Sequence, residues 1–229
     1  MILAGGLGTR LGKMVSDIPK PMIRINGIPF MEYQINLLRE NNIVNIILCV
    51  GYLHEQIVDY FGDGTKFGVK IGYSIEREKL LGTAGAVRNA YTLLEKDFLL
   101  MYGDSYLPID FSSVYHHFKK IPEKALMTVY KNDTKWDTSN IVFQGGKIVI
   151  YNKMEIIPEM NYIDYGLMLF SKEIIETIPE YQYCNLDKLQ FDLVQRGEMA
   201  GFEVIQRFYE IGSTRGFSDF TDFVTKKNL

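Results

Sequence analysis

Leu3-Ala4-Gly5-Gly6-Leu7-Gly8-Thr9-Arg10-Leu11 directly follows a short apolar run, Met1–Ala4, and its reading decides the fold. Three glycines in four positions let the backbone turn sharply and aim its amides at an anion without Cβ interference. Arg10 adds a planar cation matched to phosphate oxygens. Lys20, between Pro19 and Pro21, adds a second cation on a segment that proline stiffens. Two rival loops fail on spacing. A dinucleotide fingerprint, G-x-G-x-x-G, needs glycine where Leu11 stands after Gly6 and Gly8. A Walker loop needs four residues between its glycines and then Lys-Ser/Thr, whereas Gly8 and Gly12 enclose three and Lys13 is followed by Met14.

Outward from this loop, β-rich runs alternate with helix-period segments as far as about residue 110. The runs are Ile46–Val50, Val69–Tyr73 and Phe98–Tyr102. Phe30, Tyr33, Leu37 and Leu38 recur at helical spacing, as do Ile57, Val58 and Phe61. Val87, Ala90, Tyr91 and Leu94 do the same behind Thr83, read as an N-cap. Continuously apolar strands alternating with helices predict a parallel sheet covered on both faces.

The second half reads as mixed. Ala125–Tyr130, Ile141–Phe143, Lys147–Tyr151 and Tyr162–Phe170 are expected strands, with a turn at Gly145-Gly146. Helices are expected at Ser171–Ile178, opening on a serine cap, and at Leu186–Arg196; a strand at Phe202–Tyr209 and a helix after Gly212 close the chain. The expected fold class is α/β: a Rossmann-like open, mainly parallel mixed sheet with helices on both faces. A single domain is expected over residues 1–229, residues 1–110 forming a nucleotide-binding half and 111–229 a half that completes a substrate pocket. Met1–Ala4 is short for a central strand, which usually runs five or six residues, so the natural start is expected upstream.

The bulk numbers narrow the function classes. Apolar residues make up 47% of the 229 and charged residues 23%, ordinary for a globular chain with a real core. A net charge of −3 gives no basic field for nucleic acid. Cys49 sits in an apolar run, where a buried reduced thiol is expected, and neither it nor Cys184 has the spacing of a disulfide scaffold or zinc site. His116-His117 is expected on an exposed helix with no role. No signal peptide and no apolar stretch near the roughly 18 residues of a membrane span are present, so a soluble cytoplasmic protein without a membrane partner is expected. Monomer and homo-oligomer both stay open.

Carboxylates supply the remaining chemistry. Asp104 ends the apolar run Phe98–Tyr102, and in open parallel sheets ligands sit outside the carboxyl ends of strands. A hard carboxylate aimed at the crevice of the glycine loop suggests a Mg²⁺ ligand. Leu81–Ala86, a turn of small residues leading into a helix, admits a flat group close to the backbone, with tight packing as the alternative.

With these features assembled, the chain resembles the sugar-1-phosphate nucleotidyltransferases, the NDP-sugar pyrophosphorylases. L-A-G-G-L-G-T-R-L followed by Lys20-Pro21 carries the resemblance. It continues through Phe61–Gly68, Leu81–Ala86 and Tyr102-Gly103-Asp104 to Tyr209-Glu210-Ile211-Gly212-Ser213. The short length resembles the heptose-, mannose- and N-acetylmuramate-1-phosphate members. The resemblance implies the nucleotide-diphospho-sugar transferase fold, and substrates that are an NTP and a sugar 1-phosphate. It implies that Arg10, Lys20 and Asp104 are catalytic, and that Leu3, Ala4, Gly5, Gly6, Gly8, Thr9, Glu78, Gly82 and Thr83 bind the nucleotide. Gly103, Lys153, Asp164 and Gly166 would line the sugar-phosphate site, and Asp104 with Glu210 would hold Mg²⁺. Glu210 stands where Asp is usual, Leu80 where Pro is common, and Asn152 where the family has Glu before its Lys.

The implied reaction is in-line attack of the sugar phosphate on the α-phosphorus with loss of pyrophosphate. The nucleophile is already anionic, so alignment and charge neutralisation are needed and a general base is not. Guanylyl transfer to a heptose or mannose 1-phosphate leads on resemblance. Uridylyl transfer to an amino-sugar phosphate such as N-acetylmuramate 1-phosphate is the alternative, with a non-catalytic regulatory subunit a further one. A nicotinamide-dependent reductase is disfavoured by the failed fingerprint.

Overall fold

The structure, a computed structural model, describes residues 1–6 and 17–227. The chain divides into two compact units, Met1–Leu80 with Tyr102–Pro108 and Phe208–Leu229, and Leu81–Met101 with Ile109–Arg207.

The first unit is built on parallel strands. Ile2–Leu3 pairs with Asn45–Val50, Ile2 opposite Leu48 and Leu3 opposite Cys49. Asn45–Val50 pairs in turn with Lys70–Ile75 along its whole length. Ile46, Leu48, Cys49 and Val50 are all buried, as a strand covered on both faces requires. The strand Ile2–Leu3 is prolonged by the Ala4 amide, which donates to Cys49 O at 2.7 Å. The helix Phe30–Glu40 buries Phe30, Tyr33, Leu37 and Leu38 as the spacing predicts, and His54–Phe61 buries Ile57 and Phe61.

Thr214–Lys227 closes this unit through an aromatic cluster. The Phe220 ring lies 5.0 Å from Phe30, 5.6 Å from Tyr33 and 5.0 Å from Tyr106, while Phe223 stacks on Tyr209 at 4.3 Å. Such pairs each add about 0.5–1.5 kcal/mol beyond area burial. They anchor a two-stranded ladder, Ser105–Tyr106 against Tyr209–Glu210, in which Glu210 opposes Ser105. The expected strand Phe202–Tyr209 is therefore two separate strands, Met199–Val204 and Tyr209–Glu210.

The second unit is mixed. Its long strand Tyr162–Ser171 runs antiparallel to Asp97–Tyr102 and to Ala125–Lys131, and Ala125–Lys131 pairs in parallel with Met199–Val204. Ile141–Gln144 and Lys147–Tyr151 form a hairpin whose turn residues Gly145 and Gly146 have φ of 56° and 78°. A two-residue turn with both φ positive matches the twist of the flanking strands, which is why glycine occupies both places. The helix Phe111–Phe118 is capped by Asp110, whose carboxylate accepts from the Ser112 and Ser113 amides, and it leaves His116 and His117 exposed.

Two expected caps are corrected. Thr83 lies inside the helix Gly82–Asn89, and its hydroxyl accepts at 2.7 Å from the amide of Leu186, the first residue of Leu186–Gln195. It caps a different helix because Gly82, at φ 74°, already starts its own. Ser171 precedes a shorter helix, Lys172–Ile175, without capping it; its hydroxyl donates instead to Asp97 Oδ1 at 2.9 Å.

Candidate active site

Three charged side chains meet in the first unit. Lys20 opens the 3₁₀ turn Lys20–Met22 behind Pro19, and its Nζ donates to Asp104 Oδ2 at 2.6 Å. The Lys20 side chain is 11% exposed and that of Asp104 28%, so the pair is partly desolvated yet open on one side. Asp104 sits in the turn between Asp97–Tyr102 and Ser105–Tyr106. The Ile211 amide donates to Asp104 O at 3.0 Å, tying that turn to the Glu210 strand. Glu210 in turn is held at the start of Thr214–Lys227: its Oε2 accepts from the Gly212 and Ser213 amides, and its Oε1 from the Ser213 hydroxyl. Ser213 Oγ then accepts from the Gly216 amide at 2.9 Å, as an N-cap does.

Gly212 is the point on which the three converge. A Cβ added there would lie 2.9 Å from Glu210 Oε2, 2.9 Å from Lys20 Nζ and 3.4 Å from Asp104 Oδ2. Glycine therefore leaves a space bounded by two carboxylates and one ammonium. Among the described residues no group of three or more His, Cys, Asp or Glu is gathered for a metal. Two hard carboxylates fit Mg²⁺, which keeps several waters and takes further oxygens from phosphate.

Gln34 supports this turn and was not legible as a site residue. It is fully buried, and its Nε2 donates to Tyr102 O at 2.9 Å and Ser105 O at 2.7 Å. It thus grips the chain on both sides of Gly103-Asp104. Gly103 itself donates to Leu3 O at 2.8 Å, and a Cβ there would collide with that same oxygen. Glycine is what allows the Asp104 turn to lie against the strand that leads into the glycine loop.

Of that loop, Leu3, Ala4, Gly5 and Gly6 are described, whereas Gly8, Thr9 and Arg10 lie outside the described residues. A Cβ on Gly5 would stand 2.7 Å from Glu76 Oε2, and one on Gly51 would stand 3.4 Å from the same atom. Glu76 follows Lys70–Ile75, so its carboxylate overhangs the carboxyl ends of the parallel strands. Glu78, two residues on, is exposed. Nearby, burial pushes the Cys49 thiol up to about 12, in keeping with an inert reduced cysteine.

The second unit holds the remaining expected residues. Gly82 packs against the loop before Leu186–Gln195, where a Cβ would meet Cys184 O at 2.6 Å. The Ala84 and Gly85 amides both donate to Cys184 O. The small residues of Leu81–Ala86 thus serve tight packing at this end. Lys153 Nζ lies 3.6 Å from Asp164 Oδ2, and Gly166, at φ 100°, sits in a register shift of Tyr162–Ser171 between Asp164 and Met168. Such an irregularity re-aims side chains, and here the Gly166 amide donates to Asp164 Oδ1 at 3.0 Å. No helix among the described residues is long and apolar enough to cross a membrane.

The chain is similar to known proteins along most of its length. The nucleotidyl transferase family model matches residues 1–226. A D-glycero-alpha-D-manno-heptose 1-phosphate guanylyltransferase of Campylobacter jejuni is 37% identical over 175 residues, 76% of each chain. One from Aneurinibacillus thermoaerophilus is 32% identical over 219 residues, covering 93% of this chain and 92% of that one. Among solved structures, HddC from Yersinia pseudotuberculosis, complexed with GMP-PN, superposes with a TM-score of 0.81 at 26% identity over 97% of both chains. The chain belongs to the nucleotidyl transferase family, among its sugar-1-phosphate nucleotidyltransferases.

Proposed function

We propose that this protein condenses GTP with a heptose or mannose 1-phosphate to give a GDP-sugar and pyrophosphate, in the cytoplasm where nucleoside triphosphates are supplied. The convergence of Lys20, Asp104 and Glu210 beside Gly212 carries the proposal. A phosphate oxygen of the sugar phosphate attacks the α-phosphorus in line, forming the new P–O bond as the bond to pyrophosphate breaks. Lys20 neutralises charge at the α-phosphate, and the Asp104 contact holds its ammonium in place beforehand. Arg10 and the glycine-loop amides hold the β- and γ-phosphates. Asp104 and Glu210 would hold Mg²⁺, which when bound would supply further neutralisation of phosphate charge. Lys153 meets the phosphate of the sugar 1-phosphate, with Asp164 and Gly166 shaping its surroundings in the second unit, and Gly103 is proposed as a further contact to the same substrate.

Guanine is favoured by Glu76. A carboxylate accepts from both N1–H and N2–H of guanine, whereas uracil offers one N–H flanked by two carbonyls that repel it. Glu78, Gly82 and Thr83 are proposed as further contacts to the nucleotide. Pyrophosphate release from GTP, UTP, CTP and dTTP, each crossed with heptose, mannose and N-acetylmuramate 1-phosphates and Mg²⁺, tests the proposal. Turnover is expected with GTP and the 1-phosphate of an uncharged sugar, heptose or mannose. Selective use of UTP with the amino-sugar phosphate would replace this reading with the uridylyl one, and release from no pair would leave a non-catalytic binder.

A further inference from the structure

The second unit contains a buried polar pair, Tyr151 and Gln190, that the reaction above leaves unused. Gln190 lies on Leu186–Gln195 among buried Leu186, Leu189, Leu193 and Val194, where an apolar side chain would continue the pattern, and it is fully buried. A buried amide is costly unless its hydrogen bonds are made. Its oxygen accepts from the Tyr151 hydroxyl at 2.7 Å, and its nitrogen donates to Asp164 Oδ2 at 3.0 Å and lies 3.1 Å from Met168 Sδ. An amide has one accepting and one donating end. Because Tyr151 engages the accepting end, the donating end faces the carboxylate; a flipped amide would oppose two oxygens.

The chain of groups leads outward to Lys153. The Asp164 side chain is 2% exposed, too enclosed to be the outermost contact, while that of Lys153, 3.6 Å away, is 35% exposed. Lys153 Nζ also lies 5.8 Å from the centre of the Tyr151 ring, within reach of a cation–π attraction. Asn152 is engaged elsewhere, its Oδ1 accepting from the Met154 and Glu155 amides at 2.8 Å and 3.0 Å. Asp164 supplies a carboxylate that faces Lys153.

We infer that Gln190 is a positioning residue: oriented by Tyr151, it fixes the Asp164 carboxylate and so sets the reach of the Lys153 ammonium toward the sugar phosphate. The inference rests on the proposed function, in which Lys153 meets that phosphate. Without the Gln190 donor, the buried carboxylate has Lys153 as its main remaining partner on Oδ2 and draws the ammonium inward, away from substrate.

A double-mutant cycle on the KM for the sugar 1-phosphate tests this, with thermal unfolding measured for every variant. Gln190→Leu is expected to raise that KM roughly fivefold to tenfold, the scale of one ordinary intramolecular hydrogen bond because the effect reaches substrate only through Asp164 and Lys153, and to leave the NTP KM unchanged. In a Lys153→Ala background it is expected to add nothing, because residues acting through one another are not additive. Tyr151→Phe keeps the ring and removes only the hydroxyl; it should raise the same KM by a smaller factor, and it decides the matter if Gln190→Leu does not fold. Additive effects, an equal rise in the NTP KM, or an unchanged sugar-phosphate KM in folded variants overturn the inference. A wild-type protein that turns over no sugar 1-phosphate overturns the proposed function and takes the inference with it, a failure visible before any variant is made.

Discussion

Gly212→Ala isolates the space that the three charged groups share. The backbone there is outside the left-handed region, so alanine introduces no torsional strain, and the new methyl is the whole perturbation. It would stand 2.9 Å from both Glu210 Oε2 and Lys20 Nζ, where ordinary contact begins near 3.4 Å. Each group must withdraw by roughly half an ångström, and because a misplacement of about 1 Å costs up to about 10²-fold in rate, about 10²-fold is the upper bound here. Both contacted atoms are the far ends of flexible side chains, so stability should change by no more than about 1 kcal/mol. Continuous pyrophosphate release at saturating substrates reads kcat, and urea unfolding reads stability. The expected result is a kcat lowered about 10- to 10²-fold with a near-native unfolding midpoint. A folded variant with kcat within twofold of wild type would refute the reasoning, since the methyl would then occupy a place that chemistry does not use.

Other perturbations separate support from chemistry. Gln34→Leu leaves the carbonyls of Tyr102 and Ser105 without their side-chain donor, so urea unfolding should show a loss of about 1–3 kcal/mol together with slower turnover. Glu76→Gln exchanges an acceptor pair for one donor and one acceptor; the ratio of kcat/KM for GTP over UTP should fall about tenfold or more, and an unchanged ratio would remove Glu76 from base reading. Burial raises the Asp97 carboxyl, but hydrogen bonds from Lys119 and Ser171 outweigh it and hold the pKa below the ordinary value of 3.8. Its stabilisation is then fully present above that value and lost as pH falls through the lower folded one. The melting-temperature gap between wild type and Asp97→Asn should therefore be constant near neutrality and close below about pH 4.

The parts of the fold readable in the sequence are those set by local pattern. Ile46–Val50 is apolar throughout because its strand is covered on both faces, and Ile57 and Phe61 share a helical stripe because they face one core. Gly145-Gly146 announced its hairpin through the positive φ that a two-residue turn requires. Lys20 and Asp104 were visible as charges beside a glycine loop and a strand end. What was not legible depends on long-range register. Glu210 is named by resemblance alone, and nothing local shows that its place comes from the pairing of Tyr209 with Tyr106, fixed by aromatic packing around Phe220. Gln34 sits in an ordinary amphipathic stripe until the turn it grips is known. Thr83 had the local marks of an N-cap, but its hydroxyl serves an amide more than a hundred positions away. Gln190 offered one signal, a polar residue at an apolar position, and its meaning lies in the partners that Tyr151 and Asp164 bring.

The central claim is that the carboxylate at Asp104 belongs to the reacting centre. The most direct measurement is pyrophosphate release by Asp104→Asn, with Mg²⁺ and the substrate pair that wild type uses best, alongside circular dichroism and thermal unfolding. Asparagine keeps the shape and removes the charge that pairs with Lys20. The expected result is turnover lowered about 10²-fold or more, the scale of losing one transition-state stabiliser, in a protein that remains folded. Near-normal pyrophosphate release from the folded variant would contradict it.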